Sequence, residues 1–155
     1  MAIKAFMQVS AVTTLLLAGA AQADYLPADR IDEILRHGSE IGFSHYEEIE
    51  AKSRSRVELE GWLDNETYAE VVLSLADGTI LQEERKRLIT GAWGMSDQDV
   101  RQAFDLAIAE GMVEFEEIDI DKQGMIEVEG RDSRGRDLEV YIRQGSSDPY
   151  RVERD

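Results

Sequence analysis

Polar and apolar residues recur in the same order twice along this chain. Apolar residues first follow helical spacing, at Ile31, Ile34 and Leu35 and again at Val100, Phe104 and Ile108. After each helix the period changes to two, which is typical of antiparallel strands with one buried and one solvated face. The alternating apolar positions are Val57, Leu59, Ala69 and Val71 in the first half, and Ile126, Val128, Leu138 and Val140 in the second.

The two halves also match each other without gaps. Positions 31–85 align with positions 100–154, and eleven of the aligned pairs are identical. We therefore predict an α+β fold made of two tandem repeats, each a helix packed on a three- or four-stranded antiparallel sheet. The expected boundaries are 24–86 for the first repeat, 87–95 for a linker and 96–155 for the second repeat. Apolar linker residues, Leu88, Ile89, Trp93 and Met95, are expected to fill the seam between the repeats.

Residues 1–23 have the pattern of a secretory signal peptide. Lys4 precedes an apolar stretch at 11–20, and Ala21, Gln22 and Ala23 form a small-residue cleavage site. We expect cleavage after Ala23, a periplasmic or secreted location, and no membrane insertion of the mature chain.

Charge and composition exclude several function classes. The chain has 33 acidic against 17 basic residues, a net charge of −16, which would repel nucleic acid. It has no cysteine and only two histidines, His37 and His45, with no nucleophile motif beside them. Asp119, Asp121 and Gly124 resemble the start of a calcium loop, but its twelfth position is Gly130 instead of a bidentate Glu. We predict no enzyme activity, no cofactor and no metal site, and a hydrolase built on carboxylates alone has little support.

Acidic residues instead recur on the face of each predicted sheet that points away from the helix. Glu60 is expected opposite Glu70, and Glu129 opposite Glu139, although like charges on adjacent strands are unfavourable. A solvated acidic face near Arg131 or Arg143 would explain this pattern without any function, and binding of a small ligand or divalent cation is a further alternative. Our functional hypothesis is a surface for a cationic protein partner, with Trp62 and Tyr141 as aromatic anchors. Its predicted residues are Glu58, Glu60, Trp62, Glu127, Glu129 and Tyr141.

The arrangement resembles the PepSY family of peptidase propeptides, and most closely its small secreted proteobacterial variant in two tandem copies. The resemblance is carried by a helix ended by Gly42 or Gly111, the strand at 57–61, the returning strand at 68–75 and the turn at Asp77 and Gly78. The second half departs from the family. Before the last strand the family usually has an Asp or Asn together with a Gly, and residues 145–149 of this chain differ from that pattern. This resemblance implies a noncatalytic module that binds another protein and inhibits or regulates an envelope or secreted peptidase.

The signal-peptide hypothesis predicts that the exported protein begins at Asp24, because the small-residue triplet ends at Ala23. N-terminal sequencing or intact mass of protein expressed in a bacterial host with its natural leader measures this. Protein that keeps Met1 and sediments with the membrane would contradict it.

Overall fold

The computed structural model describes residues 24–155, and the predicted signal peptide of residues 1–23 lies outside the described residues. The chain begins with β1 (Leu26–Pro27), a 3₁₀ turn (Ala28–Arg30), α1 (Ile31–Ile41), β2 (His45–Ser53), β3 (Arg56–Trp62), β4 (Thr67–Ser74) and β5 (Ile80–Arg87). It continues with α2 (Asp97–Ala109), β6 (Met112–Ile120), β7 (Met125–Asp132), β8 (Asp137–Arg143) and β9 (Arg151–Arg154). Each helix is thus followed by four strands.

All nine strands form one antiparallel sheet, so the predicted fold class of two tandem helix-on-sheet repeats is wrong. The strand order is β5-β4-β3-β2-β6-β7-β8-β9, and β1 also pairs with β6. At the seam between β2 and β6, Ile49 lies opposite Ile118, flanked by the pairs Glu48 with Asp119 and Glu50 with Glu117. The physical reason is that β2 and β6 would otherwise be open sheet edges, and each supplies backbone partners for the other.

An approximate two-fold axis passes through this seam. Ile49 and Ile118 are equivalent in the alignment of the two halves, so each strand pairs with its own counterpart. The segments that precede the two helices also pair at equivalent positions. Leu26 pairs with Phe115 at the start of the first half, and Met95 bridges Tyr46 at the start of the second. The sequence repeat is therefore expressed as symmetry within one sheet.

One core serves both halves. It joins Leu35 of α1 and Phe104 of α2 to the inner residues of the sheet, and the strand residues Leu59, Val71, Val128 and Val140 are all 0% exposed. The helices also contact each other, because the Arg101 guanidinium Nε lies 2.8 Å from Asp32 Oδ1. Both helices therefore cover one face of the sheet. We call the opposite face the open face.

The helix ends follow the sequence signals. Ser96 and Asp99 form a capping box at the start of α2, and Gly42 ends α1 with a φ of 110° that side chains with a Cβ rarely adopt. Neither helix within residues 24–155 has the length and apolar content needed to cross a membrane.

Two glycines mark equivalent bulges beside the seam. Gly61 lies opposite Tyr46, and Gly130 lies opposite Phe115, at the points where the register of β2 and β6 shifts. A Cβ at Gly61 would lie 2.1 Å from the His45 carbonyl oxygen, and one at Gly130 would lie 2.2 Å from the Glu114 carbonyl oxygen. Both bulges therefore require a residue without a side chain.

Gly61→Ala and Gly130→Ala should each lower the free energy of unfolding by about 2 kcal/mol or more, because the added methyl group overpacks against backbone. Urea denaturation measures this. Gln82→Ala, on the exposed edge strand β5, is the control and should change stability by less than about 0.5 kcal/mol. A glycine variant as stable as the parent would show that the bulge is not tightly packed.

Candidate binding surface

Two rows of carboxylates cross the open face from strand to strand. Paired positions give the first acidic row, which is Glu84, Glu70, Glu60, Glu48, Asp119 and Glu127. The second acidic row is Glu58, Glu50, Glu117, Glu129, Glu139 and Glu153. The approximate two-fold axis exchanges the rows. Because neighbouring strands lie about 4.8 Å apart, each row is a line of closely spaced negative charge.

The ends of the rows are partly neutralised. Lys86 pairs with Glu70 at 2.8 Å and with Glu84 at 3.4 Å, and Lys52 pairs with Glu50 and Glu58. Arg151 pairs with Glu153 at the opposite edge. Within residues 24–155, no Lys or Arg forms an ion pair with the more central carboxylates, which are Glu48, Glu60, Glu117, Asp119, Glu127 and Glu129. The centre of the open face therefore carries uncompensated charge.

Five of the central carboxylates have raised pKa values, so they hold their protons more tightly than an ordinary Asp or Glu. Burial, followed by repulsion from Glu117 and Glu60, raises the pKa of Glu48 to about 7. Burial, followed by repulsion from Asp119 and Glu129, raises the pKa of Glu117 to about 7. The pKa values of Glu60, Asp119 and Glu129 are also raised, first by burial and then by neighbouring carboxylates. Near neutral pH, Glu48 and Glu117 are consequently mixtures of charged and neutral forms.

Four predicted site residues lie in these rows. Glu58, Glu60, Glu127 and Glu129 are partly buried on the open face. Glu60 accepts a hydrogen bond of 3.0 Å from the Tyr68 hydroxyl. The pairs Glu60 with Glu70 and Glu129 with Glu139 form as predicted.

Tyr141 extends the first acidic row beyond Glu127. Its hydroxyl donates to Glu139 at 2.7 Å, and the Arg151 guanidinium lies 4.0 Å from its ring centroid. Tyr141, Glu127 and Tyr150 line a groove of about 310 Å³. Tyr141 is therefore partly accessible, as an aromatic contact requires.

Trp62 does not serve as an exposed anchor, which corrects the prediction for this residue. It lies at an open-face position of β3 but is only 1% exposed. Tyr68 packs edge-on against its ring at a centroid distance of 5.6 Å. The alternating pattern indicated the correct face, but only the tertiary structure reveals what covers the residue.

The apolar residues of the linker fill the seam only in part. Met95 is buried and pairs with Tyr46, whereas Ile89 is 93% exposed. Leu88 and Trp93 instead join Trp62 around a second groove of about 500 Å³ on the open face. Glu47, Thr90 and Lys122 complete its lining.

The two arginines considered as partners for the acidic face do not pair with the carboxylates of the two rows. Arg131 pairs with Glu114 and stacks on Tyr25, and Arg143 stacks on Tyr150. Four carboxylates of the open face lie at the seam and were not among the predicted site residues, namely Glu48, Glu50, Glu117 and Asp119. Alternation along β2 and β6 places these carboxylates on the open face, but only the pairing of β2 with β6 shows that they are neighbours.

The remaining polar candidates have local structural partners. The Ser44 hydroxyl lies 3.1 Å from His45 Nδ1 but donates to the Trp62 carbonyl oxygen at 3.0 Å. Asp121 accepts backbone N–H groups from Gln123 and Met125, so this carboxylate closes the turn between β6 and β7. Within residues 24–155, no group of three or more Asp, Glu or His side chains is placed to hold a metal ion.

Comparisons with known proteins give little further information. No family model and no curated protein matches the chain. A solved structure from Clostridium difficile 630, described as a "putative lipoprotein", is similar with 14% identity and a TM-score of 0.48. The similarity covers 84% of this chain and 93% of that one. A likeness at this level carries no argument about function.

The raised pKa values predict that the protein becomes less stable as pH rises from about 5 to 8. Between about pH 5 and 7 the folded chain keeps protons on Glu48 and Glu117, whereas the unfolded chain, with glutamate pKa values near 4.5, has released them, and this stabilisation is lost as pH rises through about 7. Thermal unfolding should therefore give a higher Tm at pH 5.5 than at pH 8.

The double variant Glu48→Gln and Glu117→Gln should be more stable than the parent at pH 8 by about 1–2 kcal/mol, after allowing for solvent screening. Its Tm should also depend less on pH. The control is the double variant Asp29→Asn and Asp105→Asn, which changes charge equally at exposed residues away from the open face. A parent Tm that rises between pH 5.5 and pH 8 would contradict this account.

Proposed function

We propose that this protein is a noncatalytic binding protein of the bacterial envelope or extracellular space, and that its open face binds a basic segment of another protein. The observation that carries the proposal is the pair of acidic rows on one sheet face. An isolated carboxylate on a sheet is ordinary, but a face whose charges oppose one another across adjacent strands is less stable than a mixed one. A cationic partner would relieve that repulsion.

The shape of the charge favours an extended polypeptide over a single ion. Six carboxylates in each row lie side by side across the strands instead of converging on one point. An extended chain bearing several Lys or Arg side chains can follow such a line. The partly accessible ring of Tyr141, next to Glu127 in the first acidic row, offers it an additional contact.

The proposal also covers where the protein acts and which kind of partner it binds. The signal-peptide pattern of residues 1–23 favours export, and the PepSY resemblance favours a secreted or envelope peptidase as the first partner to test. On this proposal the protein inhibits or regulates its partner by covering a basic surface, without chemistry of its own.

Binding of a lysine-rich probe tests the proposal directly. A labelled peptide of alternating Lys and Ser, with ten residues, should bind the mature protein, and its affinity should fall at least about tenfold between 50 and 300 mM salt. Fluorescence anisotropy measures this. The matched peptide with Glu in place of Lys should not bind.

The double variant Glu60→Gln and Glu129→Gln should weaken binding of the lysine peptide by about fivefold or more, mainly through slower association. The control double variant Asp29→Asn and Asp105→Asn should bind like the parent. Affinity should also be higher at pH 8 than at pH 5.5, because Glu48 and Glu117 are more fully ionised. Equal loss in both double variants, or binding insensitive to salt, would refute a specific role of the open face.

A further inference from the structure

The groove beside Trp62 is chemically different from the rest of the open face. It forms where the end of β3, the bulge of β2, the linker and the turn after β6 meet. Two tryptophans, a leucine and a threonine supply most of its wall, and Glu47 and Lys122 supply the charges. Its volume of about 500 Å³ lies within the range of sites that accept a side chain or small ligand.

One polar group in this groove has no partner. The Trp62 indole Nε1–H is buried and donates no hydrogen bond. Buried donors are nearly always paired, because an unpaired one loses its hydration without replacement. Burial raises the pKa of the nearby Glu47 carboxyl, and the Tyr68 hydroxyl, the Lys122 ammonium and the Trp62 indole each act to lower it. The indole N–H therefore lacks a hydrogen bond of normal geometry, and because its nitrogen is buried an incoming acceptor can reach it only if the groups that cover it shift.

The equivalent corner of the second half provides an internal comparison. Arg131 occupies the position equivalent to Trp62 in the alignment of the two halves. Its guanidinium pairs with Glu114 and lies 4.2 Å from the ring centroid of Tyr25. The donor at that corner is therefore paired. Packing alone therefore does not require the open groove and the unpaired donor at Trp62.

The neighbouring charges indicate what enters the groove. Tyr68 touches both the Trp62 ring and the Glu60 carboxylate, so the groove adjoins the first acidic row. A basic segment lying along that row would bring its next residue to the groove. The apolar walls of Leu88 and Trp93 suit an uncharged side chain, and the free N–H suits a backbone carbonyl oxygen.

We propose that the groove accepts one large apolar side chain of the basic segment, whose backbone carbonyl accepts a hydrogen bond from the Trp62 indole. This inference rests on the proposed function, since the segment is the one held by the acidic rows. It adds a rule for the sequence of the bound segment, which should have basic residues next to a large apolar residue such as leucine.

The chain carries its own reporter for this test, because its two tryptophans, Trp62 and Trp93, both line the groove. The probes are the lysine and serine peptide and the same peptide with one terminal Ser replaced by Leu. The leucine peptide should bind about tenfold more tightly and shift the tryptophan emission, whereas the serine peptide should bind without a shift.

Variants of the groove residues test whether the groove causes the tighter binding of the leucine peptide. Trp93→Ala removes one wall of the groove and should make the two peptides bind equally. Trp62→Phe keeps an aromatic ring without the N–H and should reduce the affinity ratio of the two peptides about threefold or more. Tyr25→Ala, at the equivalent corner, is the matched control and should leave the advantage of the leucine peptide unchanged. Thermal unfolding of each variant confirms that it is folded at the assay temperature.

The outcomes separate the two proposals. Equal, salt-sensitive binding of both peptides without an emission shift would overturn the groove and leave the acidic face supported. A leucine advantage that persists in Trp93→Ala and Trp62→Phe would also overturn the groove. An emission shift by the leucine peptide that is unaffected by Glu60→Gln and Glu129→Gln would support the groove and refute the proposed function.

Discussion

Pairing of β2 with β6 is the interaction on which the rest of this molecule depends. It places Ile49 against Ile118 and merges two four-strand units into one sheet with one core. A unit of about 60 residues buries a small fraction of its surface and is marginally stable alone. Sharing a core increases that fraction, and pairing β2 with β6 removes two exposed edges. The seam therefore stabilises both halves at the same time.

The same pairing creates the electrostatic problem of the open face. Because strands alternate, joining the buried residues Ile49 and Ile118 also brings Glu48 next to Asp119 and Glu50 next to Glu117. The repulsion cannot be removed by moving these side chains, since the register is fixed by the core on the other face. Retained protons on Glu48 and Glu117 relieve part of it, and basic groups of a partner would relieve more. On the proposed function, stability and binding are thus coupled through the same carboxylates.

Local features of this fold were predictable from sequence, and pairing between distant strands was not. The capping box at Ser96, the helix end at Gly42 and the inward positions of Leu59 and Val128 each follow from neighbouring residues. The merged sheet does not, because alternation defines the faces of a strand but not its partner. The prediction for Trp62 failed because alternation indicates the face of a side chain but not what packs over it, and Tyr68 packs edge-on against this ring.

The linker also breaks the symmetry of the surface. The two acidic rows exchange under the approximate two-fold axis, so charge alone would let an extended basic segment bind in either of two opposite directions. Only one linker joins the two halves, and it helps to form the groove at Trp62, while at the equivalent corner Arg131 pairs with Glu114 and stacks on Tyr25. A segment with an apolar residue at one end can fill that groove in one direction only. On this proposal, charge provides attraction along the whole face, and the groove determines the orientation of the bound chain.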